Sequence, residues 1–352
     1  MNSGANIDTF DGLSHTTKYE KLIDNLYNNL FKNKINYAIS EKCWYFFVEH
    51  LWIKILDIKE YISLKIQPYS EEIKKFKNDR LINNIIKRFK KFVLFNCVNF
   101  DNLLNSNPFL LGFNNGIYDL QKCEFREGRP EDFVSFTTGY SYGRQTFHIN
   151  DSHEFLKLIF KNQVTVNNFI KTLVLCLTGK PNPEQKIIFL TNELLHEICI
   201  DQLKVNKLLE IIFGQYCAIL PSSLISNERT SIRKKKKDNI LFESIRKRCL
   251  IFNGFDTINK LNVPMIKSLC SGEEQCFRGH PLRDTQAKIF ITSNYVPNNY
   301  DSGMMRRIED IKFTNDDDIS EDNIMIYGQC IMHELLFEHQ KLLLEQKLNS
   351  KI

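Results

Sequence analysis

Three short apolar strands that alternate with helices constrain the fold of this chain more than any other feature. The strands are predicted at Lys186–Thr191, Arg248–Phe252 and Lys288–Ser293. One helix is predicted to reach Gly214 and another to span Val263–Cys270. Apolar strands that alternate with helices are typical of a largely parallel sheet covered on both faces. The sequence therefore predicts an α/β domain, whose ligands would bind at the carboxyl ends of its strands.

The residues before this region are predicted to form a smaller α+β domain. Apolar residues recur at helical spacing over Tyr19–Phe31 and again over Glu72–Phe100. Between them, Cys43–Ile55 is rich in aromatic and β-branched residues, which indicates two strands joined by a turn. Residues 109–142 are broken by glycine, asparagine and proline, and this pattern predicts turn-rich β structure.

Changes in sequence character predict four parts of the chain. We expect a flexible leader, an α+β domain, an α/β domain that opens with helices, and a C-terminal helical segment, at residues 1–17, 18–150, 151–315 and 316–352. The leader is expected because its polar residues bury too little surface to become ordered. The boundary near residue 150 precedes the strongly apolar helix Phe155–Leu177, which is expected to end before Gly179.

Composition and patterning exclude several protein classes. The ten cysteines are scattered, with no CxxC pair, so we expect reduced core thiols and neither a disulfide framework nor a metal site. No signal peptide and no stretch of about 18 apolar residues is present, which predicts an intracellular protein without a membrane partner. The net charge of +5 is mild, so a polyanionic partner must be argued from local clusters.

A series of short motifs runs through the chain in a fixed order. It comprises Leu110-Leu111-Gly112-Phe113-Asn114-Asn115-Gly116-Ile117-Tyr118-Asp119-Leu120, Arg129-Pro130-Glu131-Asp132-Phe133, Thr138-Gly139-Tyr140, Phe213-Gly214-Gln215-Tyr216-Cys217, Leu220-Pro221-Ser222, Thr292-Ser293-Asn294 and Gly303-Met304-Met305-Arg306-Arg307-Ile308. This series resembles the helicase part of the poxvirus-type primase-helicases of nucleocytoplasmic large DNA viruses, which are superfamily 3 helicases. The resemblance implies an AAA+-like, P-loop-type parallel sheet that uses ATP and Mg²⁺ and assembles as a ring on DNA. At 352 residues the chain is too short to hold a primase part as well, so priming is not expected.

The phosphate-binding loop of that family is missing from its expected place. Such a loop wraps phosphates with the N–H groups of small residues, and its Lys reaches the β and γ oxygens. The strand that ends at Thr191 is followed instead by Asn192, Glu193, Leu194, Leu195 and His196, without a glycine. No GxxxxGK[ST] pattern occurs elsewhere in the chain. We therefore predict a degenerate loop around Asn192, Glu193 and His196, whose ligand is unknown.

The remaining catalytic positions are only partly kept. The resemblance places the hydrolytic Glu near Gly254, which leaves Asp256 as the candidate Mg²⁺ ligand or as a simple turn residue. Asn294 stands where the family senses the γ-phosphate, although asparagine is also common in loops. Arg306 and Arg307 stand where the family supplies an arginine finger to a neighbouring subunit, with an interface or surface ion pair as the alternative. These four residues would be catalytic only in an active ATPase.

Two basic regions are candidates for nucleic-acid binding. The densest run is Arg233, Lys234, Lys235, Lys236 and Lys237, and clustered cations of this kind bind phosphates without reading sequence. A solvated loop and a nuclear-import patch are the alternatives. The resemblance places Arg278 near the pore of a helicase ring, beside Phe277 as a candidate for base stacking.

A further basic surface is predicted on the helix in Glu72–Phe100. Its apolar face is surrounded by Lys74, Lys75, Lys87, Arg88, Lys90 and Lys91. Such a surface could face phosphates, but a solvated helix face is the simpler interpretation.

Three functions remain open from the sequence. The first is a viral DNA replication protein of the superfamily 3 type, impaired as an ATPase, that binds DNA or replication proteins in a homo- or hetero-oligomeric ring. The second is an active ATP-dependent DNA helicase with an atypical phosphate loop, and the third is a non-replicative scaffold that retains the fold. The missing glycine and lysine after Thr191, together with Gly254, favour the first. The DNA would be single-stranded or forked, in the host cytoplasm (the virus factory) or nucleus.

Overall fold

The computed structural model describes residues 15–69, 78–96, 100–143, 149–160, 162–192, 200–227, 233–255, 261–313 and 319–349. The chain divides into two compact units. The smaller unit comprises residues 1–104 and 129–133, and the larger unit comprises residues 105–128 and 134–352. Among the described residues, no helix is both long enough and apolar enough to cross a lipid bilayer.

The smaller unit is an α+β domain built on an antiparallel sheet with the order β1–β2–β3. Its elements are α1 (His15–Leu26), β1 (Ile35–Ala38), β2 (Cys43–Val48), β3 (Leu51–Ile55), α2 (Ile58–Ile66), α3 (Asn78–Asn96) and α4 (Phe100–Leu103). The predicted aromatic strand pair is confirmed as β2 and β3. Of the predicted leader, residues 1–14 lie outside the described residues, and His15 already begins α1.

Aromatic side chains fill the core of this unit. Phe89 of α3 is fully buried, with its ring centroid 4.9 Å from that of Phe31 and 5.4 Å from that of Tyr27. Leu81 and Ile85, at helical spacing from Phe89, are buried on the same side of α3. This packing fixes the opposite side of α3 as its outer face.

The larger unit contains a five-stranded sheet with the order β13–β7–β12–β9–β8, in which every neighbouring pair is parallel. Its elements are β4 (Leu110–Phe113), β5 (Gly116–Asp119), β6 (Glu124–Arg126), α5 (Ile149–Phe160), α6 (Gln163–Leu177), β7 (Ile187–Asn192), α7 (Ile200–Phe213), β8 (Cys217–Pro221), α8 (Lys234–Ser244), β9 (Cys249–Phe255), α9 (Val263–Ser271), β10 (Glu274–Gln275), β11 (Arg283–Asp284), β12 (Lys288–Ser293), α10 (Ser302–Met305), β13 (Ile308–Phe313) and α11 (Glu321–Asn349). The predicted α/β class with a parallel sheet is confirmed. The sequence patterns did not predict β8 or β13.

Helices cover both faces of this sheet because successive side chains of a strand point in opposite directions. Ile188 and Leu190 of β7 belong to a core shared with α5, α6, α7 and α11. Ile187 and Phe189 belong to a second core, shared with α8, α9 and α10. All four side chains are fully buried, which explains why the strand is one continuous apolar run in the sequence.

The short sheet β4–β5–β6 belongs to the larger unit. The Tyr216 hydroxyl accepts a hydrogen bond from the Gly112 N–H at 2.8 Å, and the Gln215 N–H donates to the Thr137 carbonyl at 2.9 Å. The Tyr140 hydroxyl donates to the Ile212 carbonyl at 2.6 Å. Motifs that are far apart in the sequence therefore meet here. Because these bonds join the β4–β6 region to α7 and β8, residues 105–128 belong to the larger unit. The units therefore divide after residue 104, whereas the predicted boundary lies near residue 150.

The single helix predicted at Phe155–Leu177 is in fact two helices, α5 and α6. Asn162 stands in the gap with extended backbone, and its side-chain oxygen accepts a hydrogen bond from the Val164 N–H at 2.8 Å. This bond caps the start of α6. The apolar period runs through the break because both helices pack on the same core. In the C-terminal segment, the predicted helix is present as α11.

Candidate functional site

The carboxyl ends of β7, β9 and β12 form the edge at which parallel α/β sheets bind ligands. Along β12, Ser293 pairs with Thr191 of β7 and with Phe255 of β9. Asn192 ends β7 and is buried, and Asn294 follows β12 and is half-buried. The structure thus brings the predicted sensor Asn294 and the start of the predicted loop to the same edge.

Neutral side chains form a closed network at this edge. The Asn253 Oδ1 atom accepts hydrogen bonds from the Thr292 hydroxyl at 2.7 Å and from the Asn206 amide at 3.3 Å. The Thr292 hydroxyl oxygen also accepts the Gly254 N–H at 3.3 Å. Asn206 and Thr292 are almost completely buried. An active ATPase of this kind has carboxylates at the end of this strand. At this position β9 has the neutral amide of Asn253, whose oxygen already accepts two hydrogen bonds.

The other predicted nucleotide-site residues lie outside the described residues. Glu193, His196 and Asp256 belong to this group, so their proposed roles stay predictions. Within the described ranges, no three His, Cys, Asp or Glu side chains are grouped so that they could hold a metal ion.

Sequence reasoning missed two polar residues near this edge. Asn206 lies on α7, where a buried polar side chain within an apolar helix was the available signal. Asp310 lies on β13, and its carboxylate accepts a hydrogen bond from the Thr191 hydroxyl at 2.5 Å. This strand was not predicted, so its carboxylate could not be placed beside β7.

The two candidate finger arginines lie at the opposite edge of the sheet. The Arg307 carbonyl accepts the Ile187 N–H at 2.7 Å, at the start of β7. The Arg307 guanidinium donates to the Gly303 carbonyl at 2.5 Å and to the Gln185 side chain, whereas the Arg306 side chain is exposed. The length of β7 separates this edge from the carboxyl edge by about 16 Å. Neither arginine can therefore serve a nucleotide bound to its own subunit.

The structure brings the two predicted DNA-binding regions of this unit together. Lys234 begins α8, and residues 233–236 are exposed. Arg278 is exposed on the loop between β10 and β11. In the same loop, the His280 Nε2 atom is 2.9 Å from the Asn239 Oδ1 atom of α8. We call this combined surface, formed by Arg233 to Lys237 and Arg278, the hairpin–α8 basic surface.

An aromatic stack fixes the loop against α8. The Phe242 ring of α8 lies parallel to the His280 imidazole, with a centroid distance of 4.0 Å and an angle of 21°. The Arg283 guanidinium packs over the Phe242 ring at 3.7 Å. Because His280 and Arg283 both contact Phe242, the hairpin formed by β10 and β11 is held against α8. This packing also fixes the position of Arg278 in the same hairpin.

The start of α8 is electrostatically unfavourable without an anion. A helix N-terminus carries partial positive charge, and here the first turn contains four lysines and no carboxylate. Partial burial of the Lys237 side chain lowers the pKa of its ammonium group. A bound phosphate would relieve the repulsion among these charges.

The suggested stacking role of Phe277 is wrong. Its side chain is 8% exposed and belongs to the core shared with α8 and α9. An aromatic residue next to a basic one suggested a stacking platform, but here it anchors the loop.

Comparisons with known proteins identify the relatives of this chain. Residues 24–175 match the family model described as "D5 N terminal like". A putative helicase of Acanthamoeba polyphaga mimivirus is 27% identical over 342 residues, which covers 85% of this chain and 34% of that protein. The predicted resemblance to the poxvirus-type primase-helicases of large DNA viruses is confirmed.

Two iridescent-virus proteins extend this relationship. A putative helicase of Invertebrate iridescent virus 6 is 22% identical over 296 residues, covering 78% of this chain and 29% of that protein. One of Invertebrate iridescent virus 3 is 25% identical over 172 residues, covering 48% and 18%. The chain thus spans about a third or less of the length of these relatives.

Two solved structures overlap this chain only loosely. The C-terminal region of NrS-1 gives a TM-score of 0.45 at 10% identity and covers 88% of this chain and 66% of that chain. The JCV helicase gives a TM-score of 0.38 at 10% identity and covers 83% and 80%. The fold assignment therefore rests on the strand order and parallel pairing of the sheet itself.

Proposed function

We propose that this chain is a helicase-like component of viral DNA replication that binds DNA but is impaired in ATP hydrolysis. The neutral network at Asn253 is the observation that carries this proposal. An active site of this kind needs carboxylates at the strand end, one to organise Mg²⁺ and one to orient the attacking water. Here the Asn253 oxygen accepts from Thr292 and Asn206, and the following position is Gly254.

The expected loss of rate supports the proposal that ATP hydrolysis is impaired. Loss of one group that stabilises developing charge costs about 10²–10³ in rate. This chain lacks both the glycine-lysine phosphate loop and the hydrolytic Glu that the resemblance places near Gly254. ATP and Mg²⁺ would therefore be cofactors only if another arrangement replaced these groups.

DNA binding is supported by the hairpin–α8 basic surface. Its five consecutive cations and Arg278 lie on elements joined by the His280–Asn239 contact. Cations held on one surface attract the phosphates of DNA irrespective of sequence. Single-stranded or forked DNA would be the partner in a replication context, either in the virus factory of the host cytoplasm or in the nucleus.

A ring of subunits is the assembly that would give Arg306 a role. Its side chain is exposed at one edge of the sheet, and the length of β7, about 16 Å, separates that edge from the carboxyl edge. It could reach only a nucleotide held by a neighbouring homologous or identical subunit. In such a ring, this chain could support the hydrolysis of a partner while it is itself inactive.

Calorimetric titration of the full chain with ATP tests the nucleotide part of the proposal. Because the described residues of β9 carry no carboxylate and Asn253 is neutral, we expect any ATP affinity to be the same with and without Mg²⁺. Tightening of tenfold or more on addition of Mg²⁺ would contradict the impaired site.

The same preparation is then tested for DNA binding by fluorescence anisotropy with a single-stranded oligonucleotide. We expect salt-dependent binding that weakens when Lys234 to Lys237 are changed to Gln. Absence of binding by the unaltered chain would refute the DNA-binding part and leave the ATP result intact.

A further inference from the structure

The outer face of α3 carries a straight row of positive charge. Arg80, Lys87 and Lys91 are exposed and lie opposite the buried side of the helix. At 100° per residue, these three positions lie within an arc of about 40° around the helix axis. They span about 16 Å along that axis. We call these three residues the α3 basic row.

This row differs from the exposed faces of α5, α7 and α11. Three other helices carry carboxylate–amine pairs one turn apart, namely Glu154–Lys157, Lys207–Glu210 and Glu338–Lys341. Within the described residues, no carboxylate pairs with the α3 basic row. The neighbouring Arg88 pairs with Asp24 of α1, so it is not counted in the row.

Uniform charge argues against an ordinary solvated face. Lys87 and Lys91 are one turn apart, and like charges at this spacing repel each other and weaken a helix. Mixed charges would remove this repulsion, as they do on α5, α7 and α11. A polyanion along the row would also remove it, because each cation would gain a phosphate partner.

We propose that the α3 basic row binds the phosphate backbone of double-stranded DNA. A duplex is a stiff line of charge, with one negative charge per about 1.7 Å, which matches three cations fixed on a rigid helix. Proteins that hold single strands combine basic grooves with aromatic side chains on which bases stack. The exposed described positions of α3 include no aromatic residue.

The α3 basic row belongs to the smaller unit, whereas the residues of the hairpin–α8 basic surface belong to the larger unit. The proposal therefore goes beyond DNA binding by the larger unit and does not depend on it. It predicts that the chain contacts duplex as well as unpaired DNA through different residues.

The test compares the full chain with the variant Arg80→Gln/Lys87→Gln/Lys91→Gln. Glutamine is a good helix former, so the exposed helix should persist, and circular dichroism checks this. The matched control is Lys157→Gln/Lys207→Gln/Lys341→Gln, which removes the same charge from other helices. A charge-conserving variant, Arg80→Lys/Lys87→Arg/Lys91→Arg, provides the rescue.

Binding to a labelled duplex of about 20 base pairs is measured by anisotropy over a range of salt concentrations. Loss of three phosphate contacts should reduce the slope of log affinity against log salt by about 2.7 and lower the affinity on the order of 10²-fold at 0.1 M salt. The control and the charge-conserving variant should keep near-native duplex affinity.

Three results would each overturn the proposal. The unaltered chain would fail to bind duplex, the row variant would lose no more affinity than the control, or single-stranded DNA would lose as much affinity as duplex. If only the variant with Lys234 to Lys237 changed to Gln lost DNA affinity, the proposal for α3 would be wrong. DNA binding by the larger unit would then be correct.

Discussion

Substitution of Gly214 by Ala should destabilise the larger unit strongly, because this residue lies where two distant motifs meet. Gly214 has a φ of +52°, and an added Cβ atom would lie 2.2 Å from the Thr138 carbonyl oxygen. The next residue, Gln215, donates its N–H to the Thr137 carbonyl. The methyl group would therefore push against backbone that cannot rotate away.

The expected loss is the sum of three effects. Left-handed backbone costs a residue other than glycine about 1–2 kcal/mol. Overpacking against the Thr138 backbone adds about 1–3 kcal/mol, and a weakened bond to Thr137 adds about 1 kcal/mol. The total of about 3–6 kcal/mol corresponds to a fall in Tm of roughly 10–20 °C for a unit of this size.

Gly139→Ala is the matched control for this experiment. Gly139 also has a positive φ, of +88°, but a Cβ atom there would meet nothing within 4 Å. It should lose only the backbone cost of about 1–2 kcal/mol. Thermal unfolding followed by circular dichroism compares the two variants. Equal losses would refute the close packing of the β4–β6 region against the end of α7.

Three further predictions concern charge and pH. Changing Lys234 to Lys237 to Gln should flatten the salt slope for single-stranded DNA by up to about 2.8, measured by anisotropy, while the Lys157→Gln/Lys207→Gln/Lys341→Gln control keeps it. Asn253→Asp should still accept from Thr292 and Asn206 but should not produce ATP turnover in a phosphate-release assay, because the phosphate loop is still missing. Burial lowers the pKa of Lys288 to about 7, so the unfolded chain binds more protons than the folded chain above pH 7. This residue therefore makes stability rise between about pH 7 and pH 10, and Lys288→Met should give a flatter profile of Tm against pH; an unchanged profile would contradict the shift.

The central part of the sheet could be predicted because its strands are buried on both faces. β12 begins and ends at the predicted residues, and β7 and β9 are close to theirs. Such strands are continuous apolar runs that stand out from the surrounding sequence. The edge strand β13 escaped prediction because Glu309, Asp310 and Lys312 interrupt its apolar residues.

The candidate sites were harder to predict because they depend on contacts between distant segments. The motifs correctly suggested that Asn294 follows a strand of the central sheet. No local pattern showed that Asn206 would bond to Asn253, or that His280 would bond to Asn239. Phe277 was misjudged for the same reason, since its burial depends on how the hairpin packs.

Steady-state ATP hydrolysis by the full chain, with and without single-stranded DNA, tests the central claim most directly. The Arg306→Ala variant is purified in parallel, because a contaminating ATPase would be unaffected by this substitution. We predict no DNA-stimulated turnover and no difference between the two preparations. DNA-stimulated hydrolysis that disappears in Arg306→Ala would contradict the account and show a working ATPase site.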